Sequence, residues 1–418
     1  MEPVLSVPES LCVVGLGYIG LPTAAAFATQ GIAVLGVDIN ASTVETINAG
    51  RAPFTEPDLA VAISGAVSLG RLRASTTPVP SDVFIIAVPT PFMPDRTADL
   101  SYIRSAIEAV APHLKADDLV VLESTSPPGT TVLMTQWLAE LRPDLCSGDS
   151  TSEACCVHVA HCPERVLPGR IMFEMVTNDR VIGGIRNCCA RRAGDLYASF
   201  ARGELLLTDA TTAELVKLSE NAYRDVNIAF ANELSLISDR LNIDVHEVVT
   251  LANRHPRVNI LNPGPGVGGH CIAVDPWFIV SAAPEEARLI RLAREVNDAK
   301  PGHVIDEVIR VASRFRDPVI ALLGLSYKAD VADLRESPAA QIAEALVKKS
   351  LGTILIVEPN VQSLPSSLLG DRVVHTPLNK AIAEADVIVL LVDHSDFKSV
   401  KRSALRGKAI LDTRGIWR

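Results

Sequence analysis

A single cysteine closes a glycine-rich run, Asn262-Pro263-Gly264-Pro265-Gly266-Val267-Gly268-Gly269-His270-Cys271, and Asp275 follows four residues later. A loop so poor in side chains lets backbone and thiol approach a ligand closely. A thiolate there is a nucleophile if its pKa is lowered or a base is near, and His270, Asp275 or a lysine from elsewhere can serve. His270 reads as a loop residue rather than a metal ligand, because no second histidine lies at ligand spacing. A second group lies upstream. Lys217 and Asn221 are i and i+4, and Arg224 follows three residues on, so one helical face presents ammonium, carboxamide and guanidinium together. Glu164 and Arg165, in His161-Cys162-Pro163-Glu164-Arg165, add a carboxylate and a cation after a strand.

Gly15, Gly17 and Gly20 form G-x-G-x-x-G between an apolar run and a helical stretch. The first glycine permits a tight turn, the second lets backbone approach a pyrophosphate, and the third allows close helix–strand contact. Asp38 ends the next apolar run. Its carboxylate can accept from a ribose diol and would repel a 2′-phosphate, which favours NAD over NADP. Thr90 in Val88-Pro89-Thr90-Pro91 and Thr125 in Glu123-Ser124-Thr125 stand at later strand ends, where ligands of such sheets bind.

These residues need a scaffold, and the pattern supplies one. Leu11–Gly15, Ala33–Asp38, Val83–Val88, Leu119–Glu123 and Val157–Ala160 read as buried strands separated by amphipathic segments, which predicts a parallel, doubly wound sheet. Ser147–Glu153 reads as a surface loop. From Asp209 to Leu241 the pattern is one long helix without Gly or Pro, and Asp244 with Glu247 has capping-box-like spacing for the next. Helical character resumes near Pro284 and runs toward Phe315, with a break expected at Pro301-Gly302. A second alternating set follows at Val319–Gly324, Thr353–Glu358, Val387–Val392 and Ala409–Asp412. The expectation is an α/β chain of two doubly wound Rossmann-like domains, 1–208 and 316–418, joined by a central helical domain, 209–315.

Composition bounds the function. The 418 residues carry 39 basic and 49 acidic side chains, a net charge of -10, which argues against a nucleic-acid or anionic-lipid partner. Leu11–Ala28 has the length of a short membrane span, but it contains Gly15, Gly17, Gly20 and Pro22 and lacks a basic flank, so neither a span nor an export signal is expected. The eight cysteines, at 12, 146, 155, 156, 162, 188, 189 and 271, match no zinc or redox spacing. No metal and a reduced, cytoplasmic setting are the resulting expectations.

Taken together, the motifs resemble the UDP-glucose/UDP-mannose-type nucleotide-sugar 6-dehydrogenase family over nearly the whole chain. The matching pieces are Val14-Gly15-Leu16-Gly17-Tyr18-Ile19-Gly20-Leu21-Pro22, Val88-Pro89-Thr90-Pro91, Ser124-Thr125, Pro163-Glu164, Lys217 with Asn221, Gly268-Gly269-His270-Cys271, Gly324-Leu325-Ser326-Tyr327-Lys328 and Asp333-Leu334-Arg335-Glu336-Ser337-Pro338. Arg165-Val166 after Pro163-Glu164, and Val274 after the cysteine, are most like the UDP-N-acetyl-D-mannosamine dehydrogenase branch and unlike the UDP-glucose branch.

The resemblance implies oxidation of a sugar C6 alcohol to a carboxylate with two NAD per turnover, through a thiohemiacetal and thioester on Cys271. It implies that Lys217 assists proton transfer and stabilises an oxyanion, that Asn221 is a further donor, and that Asp275 or Glu164 handles water. It assigns Tyr18, Ile19, Asp38, Thr90 and Thr125 to NAD, with Arg335 reaching NAD from a partner subunit. Arg165, Val166, Lys217, Asn221, Arg224, His255, Arg257, Gly268, Tyr327 and Lys328 fall to the UDP-sugar, and a homodimer through the central helices is implied. The alternatives are a UDP-N-acetyl-D-glucosamine 6-dehydrogenase, a two-electron dehydrogenase in which Cys271 only packs, and a non-catalytic NAD-sensing protein.

Overall fold

The computed structural model describes residues 8–145, 157–269 and 271–417. Ser147–Glu153, Cys146, Cys155, Cys156 and His270 lie outside the described residues. The chain divides into two units, 1–219 and 220–418.

The first unit is built on eight strands: β1 (Ser10–Val14), β2 (Ala33–Val37), β3 (Leu72–Ser75), β4 (Val83–Ile86), β5 (Leu119–Leu122), β6 (His158–His161), β7 (Arg180–Gly184) and β8 (Leu205–Asp209). Their order is β3-β2-β1-β4-β5-β6-β7-β8. The central strands are apolar on both faces, as a sheet covered by helices requires. One face packs Leu11, Val13, Val83, Ile85 and Val121 under the helix Gly20–Thr29, and the other packs Cys12, Phe84, Ile86, Val120 and Leu122. The strands expected from the sequence, β1, β2, β4, β5 and β6, pair parallel, and a further strand departs from the pattern. β7 runs antiparallel to β6, pairing Gly184 with Ala160 and Gly183 with His161.

The second unit carries β9 (Val319–Leu323), β10 (Thr353–Val357), β11 (Val373–His375), β12 (Val387–Leu390) and β13 (Ala409–Asp412), all parallel, in the order β11-β10-β9-β12-β13. The long helix, Ala210–Leu241, runs from the first unit into the second, and Asp244 caps the next helix by accepting from the His246 N–H. The break expected at Pro301 is absent: the helix Arg288–Ala312 continues through it. Proline removes one backbone donor, but Asn297 and Lys300 on the preceding turn hydrogen-bond to Asn232, Asp225 and Ser235, which holds the helix in line.

The two sheets open with the same device, although only the first has three motif glycines. Gly15 and Gly324 both take positive φ, and their N–H groups donate to Val37 O and Val357 O at 2.8 and 2.9 Å. Asp38 accepts from the N–H of Leu16 and of Asn40, and Glu358 accepts from the N–H of Leu325, Ser326 and Asn360. The acidic residue after the second strand thus clamps the turn after the first in each unit. Glu358 is buried against His394 at 3.1 Å, so this second clamp faces inward.

Candidate active site

At the carboxyl edge of the first sheet the three glycines divide the labour as their spacing predicts. A Cβ on Gly15 would lie 2.4 Å from Ala87 O, and one on Gly20 only 1.9 Å from Gly15 O. Gly17 is exposed and a Cβ there would meet nothing within 4 Å. No side chain caps the helix Gly20–Thr29, so its amino end is left to an anion. An open, methyl-free backbone at Gly17, an uncapped helix start and the oriented Asp38 carboxylate fit a dinucleotide. Tyr18 is half-exposed and stacks on Phe54 at 4.3 Å, beside Ile19 at the helix start.

This division predicts two unlike outcomes. Gly20→Ala destabilises the first unit by at least about 3 kcal/mol, because backbone must move to admit the methyl. Gly17→Ala leaves the melting temperature unchanged and weakens NAD at least roughly tenfold by holding the pyrophosphate off the backbone. Thermal melts with NAD titration check both, and a Gly17→Ala protein that binds NAD normally would refute the assignment.

The strand ends beyond β4 and β5 are tied together. Thr90 donates its hydroxyl to Thr125 O at 2.5 Å, and Ser124 donates to Val88 O at 2.7 Å. Thr90 therefore sets the backbone that carries Thr125. Two buried carboxylates that the motif reading passed over hold the same edge. Glu123 accepts from Thr23 on the dinucleotide helix at 2.9 Å and from Tyr197 at 2.6 Å, and burial pushes its pKa up to about 7. Glu214, in the second turn of the long helix, accepts from the N–H of Gly129 and Thr131 and from the Thr131 hydroxyl, capping the helix Thr130–Leu141. That contact anchors the start of the long helix to the loop of Thr125, and Lys217 follows Glu214 by three residues.

Glu164 has a different fate. It is buried, paired with the Arg180 guanidinium at 2.9 Å, and its other oxygen accepts from the Arg165 N–H at 2.8 Å. Both oxygens are committed to holding the chain after β6. Arg165 reaches Asp179 O, and Val166 packs against the sheet core.

In the second unit the cysteine loop is assembled by close backbone contacts. Gly264 N–H donates to Asn232 Oδ1 at 2.9 Å. A Cβ on Gly268 would lie 2.5 Å from Glu336 O, and one on Gly269, at φ +85°, would press on the Tyr327 ring at 3.2 Å. Glycine is required there because the loop rests directly on the segment after β9. Cys271 is exposed, and its carbonyl accepts the N–H of Asp275 at 2.8 Å, so sulfur and carboxylate begin successive turns. Asp275 is buried at the head of the helix Asp275–Ala282 and accepts from Asn221 Nδ2 at 2.6 Å. Asn221 and Asp275 are joined side chain to side chain, and Cys271 is tied to Asp275 through backbone. Arg224, His255, Arg257 and Lys328 face solvent, and Arg335 is exposed with a two-pronged pair to Asp333 at 2.9 and 2.7 Å.

A glycine-fingerprinted sheet and a second sheet opening on the same turn mark a dinucleotide-dependent oxidoreductase. Residues 9–201, 211–299 and 321–418 match, in order, the NAD binding, central and UDP binding domains of the UDP-glucose/GDP-mannose dehydrogenase family. The chain belongs to that family and is a nucleotide-sugar dehydrogenase that uses NAD. It is 56% identical over 409 residues to an NDP-N-acetyl-D-galactosaminuronic acid dehydrogenase of Ralstonia nicotianae, covering 98% of this chain and 96% of that protein. It is 53% identical over 417 residues to the UDP-N-acetyl-D-mannosamine dehydrogenase of Escherichia coli K12, covering 98% and 99%. A solved UDP-D-ManNAc dehydrogenase from Pyrococcus horikoshii superposes with a TM-score of 0.87 at 40% identity, covering 98% and 96%. Among the described residues no helix is long and apolar enough to cross a membrane.

Proposed function

We propose that the protein oxidises the C6 hydroxyl of UDP-N-acetyl-D-mannosamine to the uronate, a four-electron reaction passing through a thiohemiacetal and a thioester on Cys271. The observation that carries the reading is the exposed Cys271 one turn from a buried Asp275 that Asn221 holds at 2.6 Å. NAD held on the glycine turn would accept one hydride at each oxidation, so that two NAD are consumed per sugar. Lys217 moves the proton of the C6 hydroxyl and steadies negative oxygen with Asn221. The Cys271 thiolate adds to the aldehyde carbon, its electron pair making the C–S bond while the carbonyl pair moves to oxygen; the oxidised adduct is a thioester that water cleaves. Of the two carboxylates for water, Asp275 is the better placed, since Glu164 is spent on Arg180 and the Arg165 N–H.

In this reading residues 1–208 hold NAD through Gly15, Gly17, Tyr18, Ile19, Gly20, Asp38, Thr90 and Thr125. Residues 316–418 hold UDP, with Tyr327 and Lys328 joined by Arg165, Val166, Arg224, His255, Arg257 and Gly268 on the sugar and diphosphate. Residues 209–315 carry the cysteine loop and pair two chains into a homodimer, from which Arg335 reaches the partner's NAD, and the enzyme works in the cytoplasm.

The substrate rests on the names of the relatives from Escherichia coli and Pyrococcus horikoshii. The Ralstonia relative's name supports a second reading, an N-acetylgalactosamine sugar. Purified enzyme offered UDP-N-acetylmannosamine, UDP-N-acetylgalactosamine, UDP-N-acetylglucosamine and UDP-glucose should form two NADH per molecule of the first. Turnover of the galacto sugar with inertness toward the manno sugar selects the second reading, and turnover of the gluco epimer alone overturns both.

A further inference from the structure

The amino edge of the first sheet, opposite the glycine turns, gathers three side chains that the chemistry above does not use. His158 is the first residue of β6, level with Leu119 at the start of β5. Because β7 runs antiparallel to β6, its carboxyl end returns to that same edge, where Ile185 N–H donates to Val159 O. The helix Asn187–Tyr197 starts there, with Cys188 and Cys189 as its second and third residues. A ring nitrogen of His158 and the two sulfurs lie within 4.8 Å of one another, and the sulfurs are 4.0 Å apart.

Two further observations point to a ligand. His158 is buried, and its Nδ1 meets no hydrogen-bond partner among the described residues. Its Nε2 lies 3.2 Å from Asp117 Oδ1, and Arg192 holds the other Asp117 oxygen at 3.1 Å. A carboxylate that takes the Nε2 proton leaves a bare lone pair on Nδ1, the tautomer of a metal-bound histidine with its outer carboxylate.

The geometry points to a site for one zinc ion, ligated by His158 Nδ1 and the thiolates of Cys188 and Cys189. Zinc–sulfur bonds of about 2.3 Å hold two sulfurs roughly 3.8–4.0 Å apart in tetrahedral or trigonal arrangement, so little movement is needed. Two thiolates and Asp117 against Arg192 and a divalent ion leave the cluster neutral. An imidazole with two sulfurs suits zinc over magnesium or calcium. The ion would join the start of β6 to the helix after β7, a brace on the sheet edge away from the dinucleotide. Spacing along the chain hides it, because Cys188 lies 30 positions after His158, beyond the whole of β7.

The test uses full-length protein kept reduced by a phosphine, in a Cys271→Ser background so that the exposed thiol contributes no ligand. Zinc titrated against a chromophoric chelator should load one ion per chain and raise the melting temperature. Cys188→Ser with Cys189→Ser should weaken that binding at least 100-fold and abolish the thermal shift. Cobalt in place of zinc should give thiolate-to-metal charge-transfer absorption that is lost in the same variant. On the wild-type background the double serine variant should form NADH at the parent rate. Reduced protein that takes up no zinc, or a serine variant that binds it as tightly as the parent, overturns the site.

Discussion

Cys271→Ser should cut formation of the uronate on the order of 10³-fold while leaving NAD binding and the melting temperature unchanged. The expectation follows from valence. An aldehyde carbon has no second hydride to release until a nucleophile has made it tetrahedral, and sulfur makes that adduct at neutral pH because a useful fraction of thiol is ionised. A serine hydroxyl in the same place has no such fraction. The local fold survives the exchange, because the side chain is exposed and Cys271 O still accepts the N–H groups of Val274 and Asp275. The measurement is NADH formed and uronate released per sugar, with mass spectrometry of quenched enzyme for an adduct on the parent that the variant lacks. Full acid formation by Cys271→Ser would reduce the thiol to packing, and an aldehyde as the parent's end product would return the site to the two-electron alternative.

Much of the scaffold was legible because its signals are local. Glycines at 15, 17 and 20 state their reason within six residues, a run from Asp209 to Leu241 without Gly or Pro reads as one helix, and Asp244 announces a cap that the structure realises. What stayed hidden depends on partners far along the chain. Glu123 meets Thr23 and Glu214 meets Thr131 across separations of 100 and 83 residues, so no window of sequence reveals them as the clamps of the dinucleotide edge. Glu164 looked like a carboxylate for water until Arg180, sixteen residues on, was seen to occupy it. Pro301 misled for the same reason: the polar side chains that carry the helix past it bond to residues 65 and 72 positions away. The parallel between Asp38 and Glu358 was equally invisible, since it lies in which N–H groups each accepts rather than in residue type.

Those polar side chains set up the second large effect. Between the helices Ala210–Leu241 and Arg288–Ala312, Asp225 pairs with Arg294 at 2.6 Å, both essentially buried, and Asn297 donates to the Asp225 carboxylate at 2.8 Å and to its carbonyl at 3.0 Å. Asn232 donates to Asn297 Oδ1 at 2.8 Å and accepts the Gly264 N–H, so the seam also holds one end of the cysteine loop. Asn221 stands one turn before Asp225 on the same helix. Arg294→Met leaves a buried carboxylate whose other oxygen already meets no donor among the described residues, and should cost about 3–5 kcal/mol. Arg294→Met with Asp225→Leu should recover most of that, because the pair itself contributes little over well-packed apolar groups. Burial already holds the Asp225 pKa above the usual carboxylate range, and losing the guanidinium raises it further. A carboxyl whose folded pKa exceeds its unfolded one favours the fold most when protonated, so the deficit of Arg294→Met should shrink as pH falls and grow as pH rises. Denaturant melts across pH read this directly. A single variant within about 0.5 kcal/mol of the parent, the range of an ordinary surface change, would remove the seam from the account of how Asn221 and the loop of Cys271 are held.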